Sequence, residues 1–469
     1  MALPDRDLQA AIAATRFGLG ARPGEIDAAR ADPQGFLLAQ TTSRPGPDPI
    51  RALPLARAEA LQAFRQAQAA FQKANQQQDR KARDLRPELN ARRAVLRDQI
   101  AADVLQRAAL GATTDQGFAE RWALFWANHF SVGAGNFVRT ATIGPYEAAA
   151  IRPHVFGRFA DLLVAAETHP AMLLYLDQNG SVGPDSPLAQ RTARRPDAKR
   201  QLGLNENLAR EILELHTVGV DGGYTQADVT EFARALTGLT FRGFNAPVEQ
   251  VGETHFRQVA HQPGPRSVMG VVYEVEGEAQ ARAILNDLAA RPQTARFISR
   301  KIARHFVADD PPPALVARLE AAWRETDGAL DQVAAALIAA PEAWAPAPAK
   351  FKTPYEFLVS SWRAVGATPR RPADLAMLNA MGHRPFSAPS PEGWPDDAAA
   401  WATPDGIIKR LVWTQDFAPR AIGTTDPSEV AAQALGARLS PGTARAVARA
   451  ESRGEGLALL LMSPEFQRR

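Results

Sequence analysis

Apolar residues recur every three or four positions through most of this chain, and that spacing predicts a mainly α protein with a multi-helix, bundle-like body. A short helix over residues 7–17 runs into Gly18-Leu19-Gly20-Ala21-Arg22-Pro23-Gly24. Those glycines resemble a phosphate loop, but a helix precedes them where a strand is required, so a helix C-cap and turn is expected. From Leu55 to about Leu110, the residues Leu61, Phe64, Ala67 and Phe71, then Ile100, Val104 and Leu105, keep helical spacing around a break near Asp84–Pro87. They predict a long helical hairpin projecting from the body, with the polar run Lys73–Arg83 as its solvated tip.

Phe118–Phe130 is a strongly aromatic helix, followed by helices near Tyr146–Ile151 and Phe159–Ala166. Asp177–Leu204 mixes Gly, Pro, Asp and Arg without sustained periodicity and reads as a long loop. Asn205–Gly238 is a helix–turn–helix. Leu208, Ile212 and Leu215 stripe its first helix, and Gly219 stands where a C-cap belongs. Thr225 and Asp228 fit a capping box for the second helix, buried through Val229, Phe232 and Leu236. Only then does the pattern turn β-like: Phe256–Val259 and Ser267–Tyr273 flank His261-Gln262-Pro263-Gly264 as one small hairpin. Beyond Glu278 the chain is helical again. Arg296–Val307 sets Phe297, Ile298, Ile302 and Phe306 against Arg296, Arg300, Lys301 and Arg304, and Pro311–Pro313 stop it. Leu337–Trp344 and Leu460–Gln467 echo each other, with no regular repeat period. Four segments are expected: 1–54, the hairpin 55–112, a central core 113–277 and a C-terminal helical region 278–469.

Composition narrows the chemistry. The 54 basic and 51 acidic residues leave a net charge of +3 and no polybasic footprint, so nucleic-acid binding is not expected. The absence of cysteine excludes disulfides, Cys-ligated zinc, iron–sulfur clusters and thiol nucleophiles. The most apolar windows, such as Val333–Ala340, fall far short of a bilayer's thickness, so no transmembrane segment is expected. The first twenty residues place acids ahead of their apolar part and show no secretory signal. The cytoplasm follows by default; export to the periplasm beside a signal-bearing partner is the alternative.

Several phrases together resemble a large uncharacterised bacterial family, the domain of unknown function 1800. They are Arg16–Pro23 (RFGLGARP), Trp126–Phe130 (WANHF), His169–Asp177 (HPAMLLYLD), Asn205–Gly238, Arg296–Phe306, Lys352–Trp362 (KTPYEFLVSSW), Pro389–Asp397 (PSPEGWPDD) and the terminal SPEFQRR. They keep their order over essentially the whole chain. The resemblance implies a mostly α protein, often encoded beside an alkaline-phosphatase-superfamily-like protein that carries a twin-arginine export signal. It implies no settled activity. One departure stands out: the family commonly has His-Asp-x-Gly-x-Lys and a later Gly, where this chain has His261, Gln262, Gly264, Arg266 and Gly270. A site needing an Asp carboxylate there is in doubt, whereas an anion site survives the exchange of Lys for Arg.

The densest polar cluster is Asn205–Gly238. Helix geometry brings Asn207, Glu211 and Glu214 onto one face, with Arg210 beside Glu206 and Glu214. Exposed salt bridges contribute only about 0–1 kcal/mol each, thin support for so many polar residues. Two readings stay open. In one, these side chains cap helices and bind neighbouring arginines. In the other, Glu211 or Glu214 is an acid/base or metal ligand, His216 carries a proton, and Arg210 clamps an anion. Asn205, Asn207, His261, Arg266 and Lys301 join the second reading as ligand-binding candidates, and His129 and Asp177 as metal candidates. The cofactor is unknown, with a divalent metal as one option. No His-Glu-x-x-His is present, and the calcium-like run from Asp177 fails at Leu188, where a bidentate Glu is needed. Gly-x-Ser-x-Gly, kinase and Walker motifs are absent too. The expectation is a central polar pocket built from the helix–turn–helix, the His129 helix end and the His261 hairpin. It would bind a small anionic or polyhydroxylated ligand and hydrolyse or modify it as a hydrolase or transferase. The alternative is a non-catalytic accessory protein holding the exported phosphatase-like partner.

Overall fold

A computed structural model describes residues 3–41, 53–194 and 203–469. It is 66% helical, with two small antiparallel two-stranded sheets, so the protein is mainly α. The loop expected over Asp177–Leu204 holds a 3-10 turn at Gln178–Gly180 and a helix at Pro187–Ala193; its residues 195–202 lie outside the described residues.

The projecting hairpin consists of Leu55–Gln76 and Lys81–Thr113. Its reversal falls at residues 77–80, not near Asp84–Pro87. Gln78 takes a left-handed φ of 52°, and the Asp79 carboxylate accepts from the Lys81 amide at 3.0 Å, starting the second helix before the proline. Pro87 therefore sits inside a helix of 33 residues, which absorbs one missing hydrogen bond. Leu61, Phe64 and Leu96 pack the base of the hairpin on Val138 and Ala141.

The single β-hairpin expected across His261–Gly264 is replaced by two. Leu239–Phe241 pairs with Thr254–Phe256, and Arg266–Val268 pairs with Val271–Tyr273. The second closes through Met269 and Gly270, both at positive φ (47° and 82°), as a two-residue reversal requires. That closure lies inside Ser267–Tyr273 and costs less loop entropy than pairing across the His261 segment.

Two main hydrophobic cores sit side by side. The larger gathers the N-terminal helices, the aromatic helix Gly117–His129, the helix–turn–helix and the helices through Trp344. Phe17, Phe118, Trp122, Phe306 and Trp344 interlock there with ring centroids 4.9–6.4 Å apart. Such pairs add roughly 0.5–1.5 kcal/mol each beyond their buried area. The smaller core is built from Tyr355 to Phe466 with Leu19 and Ala108. Between them lies a buried ionic network in which Glu356 accepts from both Arg121 and Arg469.

Among the described residues three π-helical turns interrupt the helices, at Ala13–Phe17, Glu147–Ile151 and Ile212–His216. The third extends the helix Asn207–Glu211 inside the polar cluster. A π turn carries an extra residue and changes which side chains share a face. Thr217 Oγ stabilises it by donating to the Ile212 carbonyl at 2.6 Å, and Gly219 (φ 83°) ends it by donating to Leu213. His216 thereby turns into the core while Glu214 stays half-buried at the surface.

Candidate functional site

A cleft of about 810 Å³ opens where four distant segments meet. The aromatic helix contributes Phe125, Asn128 and His129, and the end of the π turn contributes Glu214 with the loop to Gly222. The helix Pro292–Phe306 supplies Arg296, Arg300, Lys301 and Arg304. The loop Pro389–Asp397 supplies Glu392, Asp396 and Asp397. That loop is tied to the aromatic helix by Asn128, whose Nδ2 donates to the Trp394 carbonyl (3.0 Å) and whose Oδ1 accepts from the Trp394 amide (2.8 Å).

His129 and Lys301 form the inner contact of the cleft. His129 Nε2 lies 3.2 Å from the His216 carbonyl, which can only accept, so Nε2 carries the proton. Nδ1 is then an acceptor, and Lys301 Nζ donates to it at 3.0 Å. Burial, then the Lys301 charge, holds the His129 imidazole well below its usual pKa and keeps it neutral. Burial also pulls the Lys301 ammonium down to about 8, Arg304 adding to the effect while Glu392 and Asp396 oppose it.

The remaining charges divide by whether they are paired. Asp396 receives His305 Nδ1 at 3.0 Å and lies 3.5 Å from both Lys350 and Arg469. Burial alone would raise it, but His305, then Lys350 and Arg469, hold it at about 2, so it is a fixed anion. Arg304 faces Asp397 at 3.7 Å and Arg296 faces Glu320 at 3.4 Å. Arg300 is exposed and has no ion pair among the described residues. Among the described residues the Glu214 carboxylate accepts one side-chain hydrogen bond, from the Tyr224 hydroxyl at 3.4 Å.

Of the residues singled out in the sequence, the cleft collects Glu214, His129 and Lys301. His216 lies beneath it, fully buried, its Nδ1 2.7 Å from the equally buried Glu167. Glu211 is half-buried outside the lining; burial and the Glu214 and Glu167 carboxylates raise it, against His216 and Arg210. Asn205 caps instead: its Oδ1 accepts from the Asn207 amide and its Nδ2 donates to the Leu176 carbonyl, both at 2.9 Å. Arg210 joins Glu206 and Gln226, and Thr230 donates to Glu206, bracing one helix of the pair against the other.

His261 and Arg266 do not reach this cleft. His261 Nδ1 is 2.8 Å from the Thr237 carbonyl and edges a separate hollow of about 280 Å³, and Arg266 pairs with Glu231 at 3.0 Å. Gln262, where the resembling family has an acid, binds Asp185 through its amide, 2.8 Å to the carboxylate and 2.9 Å from the backbone N–H. Asp177 is exposed at φ 55°, ahead of a 3-10 turn. Among the described residues no three His, Asp or Glu side chains gather where they could hold a metal. Both His129 ring nitrogens are engaged, which leaves that ring no free lone pair.

Sequence reasoning missed Asn128, Asp396 and Glu167 as parts of the site and its support. The first two lie inside phrases that carry the family resemblance, but their partners are 266 and 91 residues away. A family model described as a protein of unknown function (DUF1800) matches residues 12–468. No curated protein and no solved structure matches the chain.

Proposed function

The chain belongs to the DUF1800 family, and within that family we propose that this member binds a small anionic, hydroxyl-bearing ligand in the cleft beneath Arg300 and Lys301. The observation that carries this reading is the pairing pattern. Neither Arg300 nor Lys301 makes an ion pair among the described residues: Lys301 Nζ donates to a neutral imidazole and lies over the Phe297 ring. Two cations without a direct ion pair beside a concave surface favour an anion there. Glu214 supplies an acceptor for a hydroxyl group and is one of the cleft carboxylates, with Asp221 and Glu392, available for acid–base work. Modification of the bound ligand, by hydrolysis or group transfer, belongs to the same proposal.

Calorimetric titration with inorganic pyrophosphate at low salt tests it. The wild type should bind, and Arg300→Gln should weaken binding roughly tenfold or more, the range for losing a charged hydrogen bond. Failure of the wild type to bind, or an unchanged affinity in Arg300→Gln, would refute the assignment. An accessory role for an exported phosphatase-like partner is the second reading, favoured by the exposed polar tip where Asn75, Gln78, Arg83 and Arg86 surround a shallow hollow. Deleting residues 73–83 should then abolish co-purification with that partner.

A further inference from the structure

Lys301 is chemically unlike every other cation in the cleft. Arg296, Arg300 and Arg304 are guanidiniums, which do not deprotonate in proteins. The chain has only seven lysines. Of these, Lys350 and Lys352 are buried in the ionic network, Lys73 and Lys81 are exposed on the hairpin, and Lys409 pairs with Asp405. An anion clamp alone would be served by a fourth arginine, whose fixed charge and forked donors suit the task better. What a lysine adds is an amine that can lose its proton and use the lone pair.

The geometry prepares that lone pair. Because the His216 carbonyl fixes His129 with its proton on Nε2, the imidazole can only accept from Lys301. A neutral amine has two N–H bonds and one lone pair. One N–H is spent on His129, which leaves the other N–H and the lone pair for the cleft. The Phe297 ring lies 5.4 Å from Nζ, and the side chain is half-buried at the wall of the cleft. With its pKa at about 8, chiefly through burial, Lys301 is roughly one-tenth neutral at pH 7, against a few parts in ten thousand for an ordinary lysine.

We propose that Lys301 is a covalent attachment site, its Nζ condensing reversibly with the carbonyl carbon of a small anionic aldehyde or keto compound. This rests on the anion-binding reading of the cleft and specifies the ligand's chemical class. The Nζ lone pair forms a bond to the carbonyl carbon while the C=O π pair moves to oxygen. A proton then passes from nitrogen to that oxygen, giving a carbinolamine. The C–O bond breaks, a further proton makes the leaving group water, and the second N–H proton is released as the C=N bond forms. Carbonyl compound plus amine gives imine plus water, with no oxidant or reductant. Glu214 is one of the cleft carboxyls, with Asp221 and Glu392, that make no ion pair among the described residues and can exchange those protons. Arg300 holds the anionic group of the compound.

The test is reductive trapping. The full chain is incubated with pyruvate or, separately, glyceraldehyde 3-phosphate, then reduced with cyanoborohydride, and the lysines are mapped by mass spectrometry. Lys301 should be labelled saturably and at least tenfold faster than exposed Lys73 and Lys81, and pyrophosphate should protect it. The faster of the two compounds tells a keto acid from a phosphorylated aldehyde. Lys301→Arg should abolish trapping at this position while the slow background labelling of Lys73 and Lys81 stays unchanged. Labelling of Lys301 no faster than Lys73 overturns the inference. If pyrophosphate binds while Lys301 stays unlabelled, the anion cleft stands and the covalent step falls; if neither is seen, both fall.

Discussion

Gly393 is the position where one methyl group should open the cleft. It has φ 91°, and a Cβ there would stand 2.4 Å from the Asn128 carbonyl oxygen and 2.8 Å from its Oδ1. Real Cβ contacts this short do not occur, so in Gly393→Ala the loop Pro389–Asp397 must lift from the aromatic helix. Lifting breaks the two hydrogen bonds between Asn128 and Trp394. Each contributes about 0.5–1.5 kcal/mol. The left-handed φ adds about 1–2 kcal/mol for any residue with a side chain. The sum, about 2–5 kcal/mol, is a rise of roughly thirtyfold to several-thousandfold in the opening equilibrium of the loop at 1.4 kcal/mol per tenfold. Amide hydrogen exchange reads this directly, because the Trp394 N–H is one of the bonds lost. Its exchange should accelerate by that factor and pyrophosphate affinity should fall. Asn128→Ala removes the hydrogen bonds without the collision and should give a smaller acceleration. Wild-type exchange at Trp394 in Gly393→Ala would refute the idea that this loop is clamped.

Glu356→Gln leaves Arg121 and Arg469 buried without their shared carboxylate, a loss of about 3–5 kcal/mol for a broken buried pair; a melting scan with an unchanged midpoint would contradict it. Asp396, held at about 2 in the fold against a higher unfolded value, contributes stability that is present above roughly pH 4 and lost as the pH falls toward 2. Asp396→Asn should therefore flatten the acid limb of a denaturation profile, and an unchanged limb would show the network does not hold that charge. Competitive acetylation should place the titration midpoint of Lys301 at about 8, well below the ordinary lysine range; a midpoint within that range would remove the argument from burial. Arg266→Gln, which loses the pair with Glu231, should leave pyrophosphate binding intact because it lies outside the cleft.

What could be read from the sequence was whatever depends on neighbours along the chain. Helical spacing is a local property, so the helices, the hairpin arms and the mainly α character were legible. Caps are local too: Thr225 and Asp228 form the capping box expected of them, and Gly219 takes the left-handed turn. Where two local signals competed, nearby geometry decided, as when Asp79 started a helix ahead of Pro87 and Met269-Gly270 closed a hairpin within Ser267–Tyr273.

The cluster in Asn205–Gly238 shows the limit. Its composition marked a place of interest, but the sequence could not divide it, because the division depends on a π turn and on partners far along the chain. That turn sends His216 inward to Glu167 and leaves Glu214 on the cleft. Arg210 and Asn205 go to helix bracing, and the cations facing the cleft come from Arg300 and Lys301. Lys301 and His129 are 172 residues apart, and nothing in either segment encodes their 3.0 Å contact. The sequence by itself determined the helices and their ends, because hydrogen bonds between near neighbours and the period of apolar residues suffice for that. Only the tertiary structure decided which polar side chains share a cleft, because burial and charge pairing are set by residues that packing, not proximity in the chain, brings together.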